Sequence, residues 1–254
     1  MLDIVMTATL RSDILERTLF SFKEKMFHTH PCRLIMNIDP VGDDTVENVI
    51  NVAKKYFDVL VNVADTPNFS KAYKWVFEQS KTRFIFHLED DWELLKPVDL
   101  DDMIDIMYKY PELATLRLPY RISTHQSKNW STFFKIHPSG RFFMCPPKEK
   151  ISVGYCGHPA LVRGSFIRKC LPYINTKHNP EKQFHIGGSY NILRTVNEYD
   201  YAVYQRQNES EYIKDIGRHW LIKTKWRKKG IKAFFNEWER IPENEIKCHN
   251  TRGK

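Results

Sequence analysis

The stretch FIFHLEDDWELL, residues 84–95, drives an apolar, aromatic segment straight into Glu89, Asp90 and Asp91 before bulky residues resume. Adjacent carboxylates disfavour one another's ionisation, so three together beside a buried strand call for something positive: a metal ion, a basic partner, or solvent. The apolar run predicts a strand that ends in the triplet. Alternate side chains of a strand point to opposite faces, which would put Glu89 and Asp91 on one side and Asp90 on the other. Such a pair suits a hard divalent cation, Mg²⁺ or Mn²⁺, which takes one or two protein carboxylates and completes its shell with water and phosphate oxygens. The competing reading is an acidic helix N-terminus, where Asp90 and Asp91 would face the helix dipole.

Upstream, strand-like and helix-like signals alternate. LDIVMTAT, CRLIMNID, DVLVNVAD and RFIFHLED read as four short strands. Between them, LRSDILERTLFSFKEKMF, DDTVENVINVAKKYF and SKAYKWVFEQS read as amphipathic helices, the first capped by Ser12 or Asp13. DLDDMIDIMYKYP adds a further helix and LATLRLPY a strand that closes this half near residue 120. The pattern predicts an α/β fold, a mostly parallel Rossmann-like sheet with helices on both faces. Ligands of such sheets bind at the carboxyl ends of the strands. Those ends carry Thr9 and Arg11, Asp39, Asp65 and Asn68, and the acidic triplet.

Beyond residue 120 the pattern changes. RISTHQSKNWSTFFKIHPSGRFFMCPP reads as a hairpin or wandering antiparallel strands, SVGYCGHPALVRGSFIRKCLPYI as a glycine-bearing loop, a strand and a helix, and the tail as basic and partly helical. The expected organisation is a ligand-binding half, 1–120, and an elaborated half with a basic C-terminal segment, 121–254, within one compact domain.

Charge divides along the same line. Residues 1–120 carry 14 Lys and Arg against 20 Asp and Glu, and residues 121–254 carry 25 against 11, so the overall +8 conceals halves of −6 and +14. One half is thus suited to a small ligand or metal and the other to a polyanion, or simply to solvent. The five cysteines (Cys32, Cys145, Cys156, Cys170 and Cys248) are scattered without a CxxC pair, which argues against a zinc site and leaves them as reduced thiols. Neither an apolar run of membrane-spanning length nor a signal-peptide pattern is present, so a cytoplasmic protein without a stable membrane anchor is expected. The absence of a GxxxxGK[ST] loop and of a second acidic cluster argues against a P-loop phosphotransferase or a two-metal nuclease.

Taken together, the first strand followed by Thr9 and Arg11, the second ending in Asp39, the helix start at Asn68 and the apolar strand entering LEDDW resemble the GT-A nucleotide-sugar glycosyltransferases, especially their large inverting family. The resemblance spans roughly residues 1–120 and is patchier afterwards. It implies that Thr9, Arg11 and Asp39 hold the nucleobase and ribose of a donor such as a UDP-sugar. It also implies that Glu89, Asp90 and Asp91 serve the metal-bridged diphosphate, with Asp91 the direct ligand and Glu89 standing where the family has Asp. The acceptor-side segment then offers Glu181, in HNPEKQF, as the base, its other reading being a helix start with Pro and Glu in the first turn. Glu198 and Asp200 are secondary candidates. YIKDIGRHW resembles the C-terminal piece that supplies a histidine to metal or diphosphate, which gives that role to His219, with Arg218 and Lys214 beside it. The family's histidine often precedes the Ile-Gly pair, where Asp215 stands here and offers itself as the ligand instead.

The acceptor is hinted at only by the basic half. Residues 121–150 carry six Lys and Arg with Trp130, Phe133, Phe134, Phe142 and Phe143, and LIKTKWRKKGIK, residues 221–232, carries six more with one Trp. Cations interleaved with rings suit phosphates and exposed bases, though a membrane surface attracts the same residues. In this the chain resembles small glycosyltransferases by which some bacteriophages attach sugars to hydroxymethylated bases, an activity that requires the target base to be extruded from duplex DNA. DNA is the favoured acceptor, and a glycan, a lipid-linked acceptor or non-catalytic nucleic-acid binding are the alternatives.

Overall fold

A computed structural model describes residues 1–120, 134–206, 209–217, 220, 226–228 and 238–242. The four apolar runs form strands β1 (Leu2–Leu10), β2 (Cys32–Gly42), β3 (Asp58–Val63) and β4 (Phe84–Glu89), paired in parallel in the order β3-β2-β1-β4, with β3 the half-exposed edge. Ile4, Val5 and Met6 of β1 are fully buried. Such continuous apolar burial requires cover on both faces, and helices supply it. On one side Ile4 and Met6 pack with α1 (Ser12–Phe22), α2 (Val46–Tyr56) and α4 (Leu100–Lys109). On the other, Val5, Ile35 and Ile85 pack with α3 (Phe69–Gln79), α5 (Gly164–Cys170) and α6 (Tyr190–Glu198). Alternation along each strand thus feeds two separate cores.

The second half extends the same sheet. The short β5 (Trp92–Leu94) follows β4, and β6 (Leu113–Arg117), β7 (Lys135–Ile136), β8 (Phe143–Met144), β9 (Ala160–Arg163) and β10 (Asp200–Val203) come next in the chain. The full sheet runs β3-β2-β1-β4-β9-β6-β10-β8-β7. β9 lies antiparallel between β4 and β6, and the hairpin of β7 and β8 closes the edge against β10. Only β8 and β9 oppose the common strand direction. The expected mostly parallel sheet and the expected hairpin are both present. Arg163, at the end of β9, donates from Nε to the Leu113 carbonyl at 2.6 Å and from Nη2 to those of Met107 (2.6 Å) and Tyr110 (3.0 Å). It thereby satisfies the C-terminal end of α4, whose last carbonyls have no helical partner.

Periodicity left two features unseen. β5 pairs antiparallel with β11 (Ile213–Asp215), placing Asp215 opposite Trp92, and β12 (Trp226–Lys228) pairs with β13 (Trp238–Arg240). Three-residue strands are too short to show a period. The expected cap of α1 is also different. Arg11 occupies the cap position with no side-chain cap bond, and the Ser12 N–H is instead satisfied from outside the helix by Asp44 Oδ2 at 3.1 Å. Asp44 further accepts from Thr45 N and Asn48 Nδ2, so it serves the starts of α1 and α2 together.

The Ser12 hydroxyl first, then Asn48 and the backbone N–H groups of Thr45 and Ser12, hold the Asp44 carboxylate down at about 2. A depressed carboxylate pKa stabilises the fold above the unfolded value near 4, and that contribution is lost as pH falls toward 2. Asp44→Ala is expected to cost about 1 kcal/mol at pH 7 and nothing below pH 2, as read from urea unfolding across that range.

Candidate donor site

The carboxyl ends of β1, β2 and β4 open onto a cavity of about 120 Å³ lined by Thr9, Arg11, Asp39, Phe69, the acidic triplet and two tryptophans, Trp220 and Trp238. The triplet does not continue the strand. β4 ends at Glu89 and the chain turns through Asp90 and Asp91 before β5. The pleat expected from sequence therefore stops at Glu89, and all three carboxylates line the cavity.

Asp90, only 2 % exposed, is consumed by the end of β1. Its Oδ2 accepts from Thr9 N at 2.8 Å, from Thr9 Oγ1 at 3.2 Å and from Arg11 Nε at 2.9 Å, while Oδ1 pairs with Arg11 Nη2. Thr18 Oγ1 of α1 donates to the Asp90 carbonyl at 2.9 Å and fixes the turn. Both oxygens are spoken for, so Asp90 is a positioning residue. Thr9 and Arg11, which the resemblance directs to the nucleobase, are placed on Asp90, and Arg11 is itself buried.

Asp91 is differently placed. Its Oδ2 receives one bond from Arg11 Nη2 at 3.0 Å, and that guanidinium is shared with Asp90. The β5–β11 pairing brings Asp215 close enough to repel it, and Ile216 N donates to the Asp91 carbonyl at 2.9 Å. A Cβ at Gly217 would overlap Asp91 Oδ2, so only glycine lets this loop approach so closely. Burial first, then Asp90 and Asp215, push the Asp91 carboxyl above its usual range, against the pull of Arg11. Trp220 lies over the Arg11 guanidinium at 5.0 Å. Asp215 was a secondary choice from sequence and the two tryptophans were missed, because the signal for each is a contact made across more than 100 residues. Arg218 and His219 lie outside the described residues.

Asp39 forms the wall between this cavity and a neighbouring one of about 420 Å³ that also touches Asn37, Asn62, Asp65, Asn68, Lys71 and Trp75. Asn37 Nδ2 donates to Asp39 Oδ1 at 3.2 Å, and Asn62 Nδ2 holds Asn37 Oδ1 at 2.6 Å. Asn68 caps α3, accepting from Lys71 N at 3.0 Å, and its backbone N–H faces Asp39. Burial raises Asp39 to about 7, with Asp90 adding to the shift and the two asparagine donors opposing it.

Glu181 begins a 3-10 turn, Glu181–Phe184, after Pro180, as the helix-start reading proposed. Its carboxylate lies against the backbone of Gly157, where a Cβ would overlap Oε1. Next to it His158 meets Trp92 (5.1 Å between ring centroids) and Tyr120 (5.2 Å), so rings bridge Glu181 to the residue after Asp91. The secondary base candidates are committed elsewhere. Glu198 pairs with Lys169 at 3.1 Å, and Asp200 pairs with Lys150 at 2.6 Å at the start of β10. Lys214 is exposed. Among the described residues, no cluster of three His, Cys, Asp or Glu side chains is close enough to enclose a metal.

No family model matches the chain, and no curated protein matches it in sequence. Solved structures do. Residues 1–349 of Staphylococcus aureus TarS superpose with a TM-score of 0.57 at 13 % identity, covering 88 % of this chain and 63 % of that one. A structure of the same TarS fragment in complex with UDP-GlcNAc gives 0.56 at 13 % identity over 84 % and 58 %. The chain thus spans less than two thirds of the structures it resembles. It has the α/β fold of GT-A-type nucleotide-sugar glycosyltransferases.

Asp39 supplies a test of the site's electrostatics. Its folded pKa lies above the ordinary value near 4, so the folded state binds the extra proton and the group lowers stability as pH rises through about 7. Asp39→Asn keeps an acceptor for Asn37 and is expected to stabilise the protein at pH 8 by on the order of 1–3 kcal/mol, with no gain at pH 4, in paired thermal melts.

Proposed function

We propose that the protein is a glycosyltransferase that moves a sugar from a nucleotide diphosphate, with UDP the expected nucleotide, to an acceptor hydroxyl with inversion. The observation that carries this reading is the meeting of Asp39, the Arg11-braced acidic turn and the Asp215–Gly217 loop at the strand ends of a GT-A-type sheet. TarS, of the same fold, has been solved with UDP-GlcNAc and with UDP.

The donor set fits a hard divalent cation, Mn²⁺ or Mg²⁺. Asp91 and Asp215 repel each other, and the Arg11 guanidinium beside Asp91 is shared with Asp90. Two protein carboxylates are the usual complement for such an ion, the rest being water and phosphate. Asp91 and Asp215 would hold it, with Glu89 on the same cavity wall, and His219 remains the further candidate from sequence. When bound, the ion supplies neutralising charge to the diphosphate.

The chain's own groups do the rest. Asp39 accepts from the nucleoside, Arg11 and Thr9 keep the acidic turn aimed, and Glu181 takes the acceptor proton on its carboxylate as the hydroxyl attacks. Gly157 is what allows Glu181 to sit beside His158.

The acceptor proposed is a hydroxymethylated base in DNA, and its support is the +14 charge of residues 121–254. Two of the rings counted toward a stacking surface are not available for it. Phe134 and Phe142 are buried, Phe134 beneath Arg117 (4.8 Å) and Phe142 against Tyr110 (5.2 Å). Trp130 and Phe133 lie outside the described residues.

Nucleotide release from a panel of nucleotide sugars, with and without hydroxymethylated DNA, tests the whole reading. Asp91→Asn is expected to lower turnover by at least about 100-fold with the fold intact. Gly157→Ala should lower kcat by roughly 100-fold through displacement of Glu181, with nucleotide affinity unchanged. Full activity in Asp91→Asn would refute the assignment.

DNA binding provides a separate check. The triple change Lys225→Ala, Arg227→Ala and Lys228→Ala is expected to weaken it and to flatten its salt dependence by about three counterions. Unchanged affinity would transfer the proposal to a glycan or lipid-linked acceptor.

A further inference from the structure

On the acceptor side a third cavity, about 250 Å³, is walled by Arg117, Tyr120, Val153, Cys156, His158 and His185. Three of the four described cysteines are ordinary or suppressed thiols. Cys145 and Cys170 are buried, Cys32 is half-buried, and burial pushes them up to about 11, 12 and 11. Cys156 differs in its neighbours. Arg117 Nη1, itself anchored on the Val153 carbonyl at 3.0 Å, donates to Cys156 Sγ at 3.1 Å. The His158 imidazole and backbone N–H also hydrogen-bond the sulfur.

We propose that Cys156 is a covalent modification site, a thiolate held between Arg117 and His158 on the wall of this cavity and open to soft electrophiles and to peroxides. A guanidinium and an imidazolium touching one sulfur favour its anion, which is the nucleophilic form. The other groups facing this corner are Glu181, which lies against Gly157 and supports the imidazolium, His87 of β4, which is buried and neutral, and His185, tied to the Tyr155 carbonyl at 2.7 Å. Burial opposes the anion, but Arg117 and His158 outweigh it and bring the thiol down to about 6, while His158 is raised in return.

With an alkyl halide the sulfur forms a thioether and expels halide. With hydrogen peroxide it attacks one oxygen, the O–O bond breaks, hydroxide leaves and sulfur is oxidised to the sulfenic acid as the peroxide is reduced. Neither step draws on the sugar-transfer reading.

The test is iodoacetamide labelling of the full chain between pH 5 and 9, quantified for each cysteine by peptide mass spectrometry. Folding ordinarily slows a cysteine's labelling. Here Cys156 is expected to label about fivefold faster in the folded chain than in urea at pH 6.5, the low pKa outweighing its cost in nucleophilicity. Its rate should be half-maximal near pH 6 and level above pH 7. His158→Asn, checked for folding by circular dichroism, should move that midpoint upward by a unit or more. Peroxide followed by dimedone should tag Cys156 in the native chain and fail to do so in Cys156→Ser. Slower labelling in the folded chain than in urea, or a midpoint unmoved by His158→Asn, would overturn the proposal.

Discussion

The site stands on a single buried ion pair. Arg11 leaves the end of β1 and closes on Asp90 just past the end of β4, with Thr9 N and Oγ1 donating to the same Asp90 Oδ2, so two strand ends and the start of α1 are tied at one point. A buried pair is a poor source of net stability, because removing two charges from water offsets most of their attraction. Its value here is geometric. Once formed, it can be broken only by stranding a charge, which costs about 3–5 kcal/mol, so the acidic turn has one low-energy arrangement. Asp91 inherits its direction from that arrangement, and β5 and β11 are positioned by the same turn.

Much of this fold could be read from the chain because the informative runs were long. Strands β1 to β4 are each six or more residues long and rich in apolar residues, and β1 to β3 are each followed by a helix with a clear stripe, so both the elements and their parallel order follow from periodicity and from the handedness of βα connections. Asn68 was legible as a cap and Asp39 as a strand-end carboxylate for the same reason. Strand direction was not legible for β9, since ALVR is equally apolar whichever way it runs between β4 and β6. The Asp90 partner of Arg11 was not legible because it lies 79 residues away. Phe134 and Phe142 were misleading. Aromatics among basic residues resemble a stacking surface, yet a hairpin on a sheet edge turns one face inward, and composition does not say which.

The Cys156–His158 segment shows how glycine can organise charge. Gly157 stands between Cys156 and His158, and its missing Cβ is the space that the Glu181 carboxylate occupies. Glu181 raises the proton affinity of His158, His158 lowers that of Cys156, and Arg117 assists the thiolate from the end of β6. The rings of Trp92 and Tyr120 pack on His158 from the donor side, 4.9 Å from each other. A change at any one of these groups is therefore felt by the others.

Carboxylates in this molecule fall into two populations. Glu198, Asp200 and Asp44 are met by cations or N–H donors that compensate them within the protein. Asp39 and Asp91 are buried with less compensation than their surroundings demand, and both are pushed toward the protonated form. A fold selected for stability alone would replace them, since each costs free energy at neutral pH. In the proposed function, a ligand would offset that cost with hydroxyl or N–H donors at Asp39 and positive charge between Asp91 and Asp215. The two deficits face one crevice and differ in kind, one hydrogen-bonding and the other ionic. The proposed nucleotide diphosphate with its divalent cation would answer both at once, whereas a nucleotide alone would bring its own negative charge against Asp91. Donor and cation are therefore expected to bind with positive coupling, each relieving the repulsion the other would meet.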